Sequence, residues 1–262
     1  MSPQVLTCDD RALQCDDRVP PRDDRALNRV EKATQQCAVP IVLPLVMPSG
    51  KPYCYIETDK IVQSMTVLHV APVSTPTAIA QEAYYSSLLD GAVEYSNQAH
   101  QALLFALQRL QMPIDAAFVE ILARLITGGD VAFRASEIPG TPPPSTIPWH
   151  MDQLYRFVAD ERYHPLVKSA VCHCFILAVQ PFAVPFGVVN NHNPNGRLAR
   201  LLSMMIFIRS GYTFLINSSC SAVIAKYSNE YAQAFQGIFS ANSPYGQAGN
   251  ITGFVEIGRA HV

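Results

Sequence analysis

No excess of charge of either sign marks this chain: 19 Lys and Arg stand against 21 Asp and Glu, a formal net charge of −2. A nucleic-acid partner held by bulk electrostatics therefore finds no support. The N-terminus lacks the basic start and apolar run of a secretory signal. Uninterrupted apolar runs are missing as well. The longest window, Ser169–Val189, is broken by His173, Gln180, Pro181 and Pro185, so it reads as buried helix and loop, with no membrane span. Paired cysteines are also lacking. The seven cysteines are odd in number and scattered, which suits small apolar side chains in a reduced, cytoplasmic compartment. Cys172 and Cys174 flank His173, but residues two apart on a helix point to different faces and cannot close a tetrahedral metal site alone. Strand-like alternation is scarce throughout.

What is present is helical. Nearly half of the residues, 49%, are apolar, enough for a core in one medium domain. The first 37 residues repeat CDDRAL, CDDRVP and RDDRAL at a period too short for a solenoid, and their sparse apolar content predicts disorder. Residues 38–77 are Pro-spaced and β-branched, an extended region with a strand pair expected around Lys51–Ile56. Thr75-Pro76-Thr77 opens a helix that runs to Asp90 and stops at Gly91. Asn97–Gln111 has helical spacing. The next helix starts at Pro113-Ile114-Asp115, carries Phe118, Ile121, Leu122 and Leu125 on one face, and ends at Gly128-Gly129. Ala132–Pro148 is a long Pro-rich loop. Trp149–Glu161 is helical, with Trp149 and Tyr155 assigned to core or flap-base packing. His164–Val179 has no polar face and belongs at the centre of a bundle. Arg197–Arg209, Ser219–Phe239 and a segment opening at Asn250 complete the elements. The fold class is all-α, with a small β-hairpin flap. The last seven residues, EIGRAHV, read as a translated library adapter, so the domain spans 78–255 and the native chain is expected to run on beyond Val255.

One stretch carries the chemistry. Asn195-Gly196-Arg197, with Arg200 three residues on, begins a helix. Free N–H groups at such a start favour anions, Gly permits close approach, and two Arg forks one turn apart suit phosphate oxygens. The competing reading is a loop that ends in a helix bearing two solvated arginines.

Gln180-Pro181-Phe182 followed by Asn195-Gly196-Arg197 and Arg200 resembles the Fic (Fido) motif, H-P-F-x-[D/E]-G-N-G-R-x-x-R. Three further segments resemble the same family in the same order. Ser86 with Asp90-Gly91 looks like the inhibitory [S/T]-x-x-x-E-[G/N] pattern. GGDVAFR (Gly128–Arg134) looks like the segment before the flap, and NITGFV (Asn250–Val255) like the stretch after the core. The resemblance implies a protein adenylyltransferase type with an N-terminal inhibitory helix. AMP would pass from ATP, with Mg²⁺, to a Ser, Thr or Tyr hydroxyl of a target protein aligned by the flap. It implies phosphate binding by Asn195, Gly196, Arg197 and Arg200, and an inhibitory pairing of Asp90 with Arg200. It leaves a homodimer open and implies neither nucleic acid nor membrane as partner.

The chain departs from the family pattern where reactive groups are needed. Gln180 stands at the position of the family's base, and an amide takes up no proton near neutral pH. His192 is the minority candidate to replace it. Asn193 stands at the carboxylate position; its amide oxygen can ligate Mg²⁺ but brings no charge. Pro194 removes an N–H from the anion loop. Residues 183–191 lengthen the family spacing, which predicts a splayed loop. The alternative function is therefore a non-catalytic Fic-like module that binds a nucleotide or a protein. For Asp90-Gly91 the simpler alternative is an ordinary helix end.

Overall fold

The computed structural model describes residues 40–67, 76–91, 96–183, 194–212, 215, 218–239 and 249–258. Among these are ten α-helices, two of them forming a buried central pair, and one two-stranded antiparallel sheet. The architecture is all-α with a small hairpin.

The central pair is α6 (Pro165–Val179) and α7 (Pro194–Arg209); here and below, helices are numbered in chain order from α1. Both are apolar on nearly every side. Among the buried residues are Leu166, Phe175 and Ile176 of α6 and Leu198, Leu202 and Met205 of α7. A helix with no polar face can only be satisfied in the middle of a bundle. The two pack along their length. Ser169 and Ser203 allow the backbones close together and exchange bonds, each hydroxyl donating to the other residue's carbonyl at 3.2 and 3.1 Å. Truncating a fully buried Leu198 to Ala would cost about 2–5 kcal/mol.

Around this pair stand α2 (Pro76–Leu89), α3 (Asn97–Gln108), α4 (Ala116–Thr127) and α5 (Ile147–Ala159). Asp115 caps α4, accepting from Phe118 N–H at 2.9 Å, and Gly128 closes it at φ 74°. The buried face of α4 is Phe118, Val119, Leu122, Ala123 and Ile126. Ile121 is exposed and Leu125 only half-buried, so the expected stripe is rotated. A bundle position with neighbours on two sides selects the wider face, and α4 packs against both α3 and α7. Of the two packing roles expected for Trp149, the core is ruled out: it is 52% exposed, at the first turn of α5, in an edge contact with His150.

The expected strand pair is displaced upstream. β1 (Ile41–Val46) and β2 (Pro52–Tyr55) flank the turn at Gly50, which takes φ 80°. Ile41 pairs with Tyr55 and Val42 with Cys54. A helix, α1 (Asp59–Val67), occupies part of the stretch expected to be extended. Cys54 also exchanges backbone bonds with Gly249 and Ile251. This ties the hairpin to α10 (Thr252–Gly258), which Asn250 caps at 3.0 Å. The expected helix Ser219–Phe239 is two: α8 (Cys220–Lys226) and α9 (Ser228–Phe239), broken at Tyr227. Glu256 lies in α10 and accepts from Thr58 Oγ at 2.7 Å. No helix among the described residues is long and apolar enough to cross a membrane.

Candidate anion site at the start of α7

Pro194 opens α7, where its missing N–H and fixed φ suit the first helical position. Asn195, next, is 1% exposed. Its side-chain amide clamps Phe182: Oδ1 accepts from Phe182 N–H at 3.0 Å, and Nδ2 donates to Phe182 carbonyl at 3.0 Å. The side chain thus imitates a strand partner. It ties Phe182 to the start of α7 across the long insertion, whose expected splayed loop lies outside the described residues. Residues 184–193, with His192 and Asn193, lie outside the described residues.

One turn further, Arg197 and Arg200 point to the same place. Arg197 Nε donates to Asp90 Oδ2 at 3.0 Å, and Arg200 Nη2 to Asp90 Oδ1 at 2.8 Å. The three side chains are 3%, 6% and 5% exposed. Arg200 is held again by Ser86: Nε donates to its hydroxyl at 3.0 Å and Nη2 to its carbonyl at 2.7 Å. Arg197 Nη1 donates to Ser96 Oγ at 3.3 Å. Burial lowers the Arg197 pKa, Asp90 opposes this, and neighbouring Arg200 adds to the lowering. Guanidinium stays protonated regardless, so the cluster holds two cations and one carboxylate. Arg200 also lines a cavity of about 50 Å³ with His173, Ser203 and Tyr231. His173 Nε2 and Tyr231 hydroxyl are hydrogen-bonded at 2.7 Å.

Gly196 makes this geometry accessible. A Cβ built there would lie 2.5 Å from Asp90 Oδ1 and 3.3 Å from Arg200 Nη1. Any side chain would exclude the carboxylate from its place against the helix start. Gly91 has a different role. It turns the chain after α2 at φ 81° and has open space around it.

Gln180 ends α6 in the left-handed region, φ 45° and ψ 62°. It is the one non-glycine residue with positive φ among the described residues. A buried arginine holds that turn. Arg134 is 2% exposed and its guanidinium donates to Gln180 carbonyl at 2.9 Å and Val179 carbonyl at 3.2 Å. The same group reaches Ser136 carbonyl, Thr141 hydroxyl and Pro142 carbonyl at 2.9, 2.7 and 2.6 Å. The cation satisfies the last carbonyls of α6 and fastens the Pro-rich loop to it. Phe133 and Phe182 form an antiparallel bridge beside it, with ring centroids 5.4 Å apart.

The structure therefore brings together Ser86, Asp90, Gly196, Arg197 and Arg200. It attaches Asn195 to the chain two residues beyond Gln180. Sequence reasoning missed Ser96 and the node at Arg134. Ser96 is visible only as an N-cap, since its Oγ accepts from Ala99 N–H at 3.3 Å. Arg134 follows an apolar segment and nothing local announces its burial. Cys172 and Cys174 are buried thiols, and burial pushes Cys172 up to about 12. Among the described residues no three His, Cys, Asp or Glu side chains stand together to hold a metal.

No family model matches the chain, and no curated protein does. Among solved structures it is similar to a Fic family protein from Desulfovibrio desulfuricans G20. The identity is 18%, the TM-score 0.49, and the match covers 77% of this chain and 61% of that one. The chain thus spans about three-fifths of that protein's length.

Proposed function

We propose that this protein is a Fic-type domain whose Arg197–Arg200 pair binds the phosphates of a nucleotide, with Asp90 as an internal competitor. The observation that carries this reading is the Asp90 carboxylate gripped by two buried Arg forks on one helical turn. An anion bound this way stands where phosphate oxygens would bind, and Arg forks fit both groups. The ordered motif resemblance supplies the chemistry: AMP transfer from ATP to a Ser, Thr or Tyr hydroxyl.

In that reaction the hydroxyl oxygen bonds to the α-phosphorus, the bond to the β-phosphate bridging oxygen breaks, and pyrophosphate leaves. The hydroxyl proton needs an acceptor. Gln180 offers none, and the absence of a positioned base costs roughly 10²–10⁴-fold. A divalent cation would serve the phosphates; Asn193 is the sequence candidate to hold it, as a neutral ligand.

Two measurements test this reading. Asp90→Asn removes the competing charge, so calorimetry should show ATP binding at least about tenfold tighter than to the unsubstituted chain. Gln180→His should then raise transfer of label from α-labelled ATP to protein. His is among the side chains enriched at left-handed φ, so the backbone accepts the change. If Asp90→Asn binds no nucleotide, the phosphate-site reading fails. If it binds but Gln180→His transfers nothing, the second reading stands: a nucleotide-binding module without catalysis. Gln180 is the observation that favours it.

A further inference from the structure

α2 reverses the usual distribution of a surface helix. Glu82, Ser86 and Asp90, the last just past its final turn, recur every fourth residue and so share one face. That polar face is the buried one. Glu82 and Ser86 are 6% and 7% exposed, whereas Tyr84 and Leu88 on the outside are 41% and 42% exposed. The buried apolar residues of α2 are the small Ala78 and Ala83, so polar contacts help to orient this helix on the bundle. Such contacts can be exchanged for water or another ligand, whereas a large apolar face cannot be uncovered cheaply.

The two ends of the stripe grip different elements. Asp90 holds the arginines of α7. Glu82 holds the start of α8. Its Oε2 accepts from Ser219 Oγ and from Ser221 N–H, both at 2.9 Å, and its Oε1 accepts from Ser221 Oγ at 2.5 Å. Ser219 Oγ also caps α8, accepting from Ala222 N–H at 3.0 Å. All these donors are neutral, and carboxylate acceptors make such bonds stronger than neutral ones.

We propose that Glu82 is a second anchor of α2, a positioning residue that sets how readily Asp90 leaves Arg197 and Arg200. This rests on the reading of Asp90 as an internal competitor. The anchors differ in what can displace them. A phosphate group competes with Asp90 for the same Arg forks. It does nothing to the serines that hold Glu82. Ligand binding alone therefore releases one end of α2 and leaves the other fixed, so weakening Glu82 should favour the open site.

The test uses the full chain and hydrogen exchange of peptides from 76–91, with a non-hydrolysable ATP analogue as the probe. Glu82→Ala should speed exchange in those peptides by about tenfold or more, with exchange of α6 unchanged. The analogue should also bind about tenfold tighter by calorimetry, although Glu82 is not among the groups expected to touch it. Unchanged exchange over 76–91 would overturn the proposal. Should Glu82→Ala fail to fold, the milder Ser219→Ala/Ser221→Ala pair removes both hydroxyl donors and carries the same expectations. Faster exchange without analogue binding, in these variants and in Asp90→Asn alike, would uphold the anchor and overturn the nucleotide reading instead.

Discussion

At the residue scale, the site depends on one carboxylate and one missing side chain. Asp90 is buried between two guanidinium groups, so removing its charge deprives two buried cations of the carboxylate they share. Asp90→Asn should therefore destabilise the fold by about 3–5 kcal/mol, read as a lower denaturant midpoint. On the proposed nucleotide reading, ATP should restore part of that loss, because a ligand that binds only the folded state shifts the equilibrium toward it. Gly196 complements Asp90. An added Cβ would stand 2.5 Å from the Asp90 oxygen, so Gly196→Ala should cost about 1–3 kcal/mol. In an Asp90→Ala background the same change should cost much less. Additive losses in that double-mutant cycle would show that the two positions do not meet.

At the element scale, three joints hold the site's helices in place. Asn195 connects the start of α7 to Phe182, and Arg134 connects the end of α6 to the Pro-rich loop. The third is the stripe on α2. Arg134→Ala would leave several carbonyls without donors in a dry place, and each such group costs about 1–3 kcal/mol. A total loss of at least about 3 kcal/mol is expected, with faster hydrogen exchange over 132–143 and 176–183 and little change in α3. Uniform loss of protection across the chain would argue that Arg134 supports the core in general instead of this joint.

At the scale of the whole molecule, stability should depend on pH through two histidines. Burial lowers the pKa of both His150 and His164 from the ordinary 6.5. Lowered folded values mean that the unfolded chain binds protons first as pH falls. The stability these residues contribute is thus complete above about pH 6.5 and is lost as pH drops through their folded values. His164 adds a local reason: its Nδ1 accepts from Leu166 N–H at 3.1 Å and caps α6 only while unprotonated. Thermal melts should show Tm falling from pH 7 to pH 5. His164→Asn keeps a capping acceptor and removes the titration, so its melt should fall less steeply. An equal slope in both proteins would refute this assignment.

Local signals in the sequence were enough to place most helices. Asp115 and Gly128 announce both ends of α4, and the unbroken apolar run of α6 announces a central helix, because caps and periodicity act over a few residues. The same locality explains the failures. The rotated face of α4 and the exposure of Trp149 depend on which neighbours arrive from elsewhere in the chain. α1 hid in a Pro-rich context, and the break at Tyr227 lies within continuous helical spacing. For the site, the sequence by itself determined the donors: two arginines one turn apart behind an Asn-Gly helix start, and a Ser86/Asp90 pattern far upstream. Only the tertiary structure decided that they meet. Asp90 reaches Arg197 across 107 positions, Gly196 leaves room for it, and Arg134 and Glu82 fix the flanking elements. Buried ion pairs and hydrogen bonds act over about 3 Å in space, and no spacing along a chain encodes that distance.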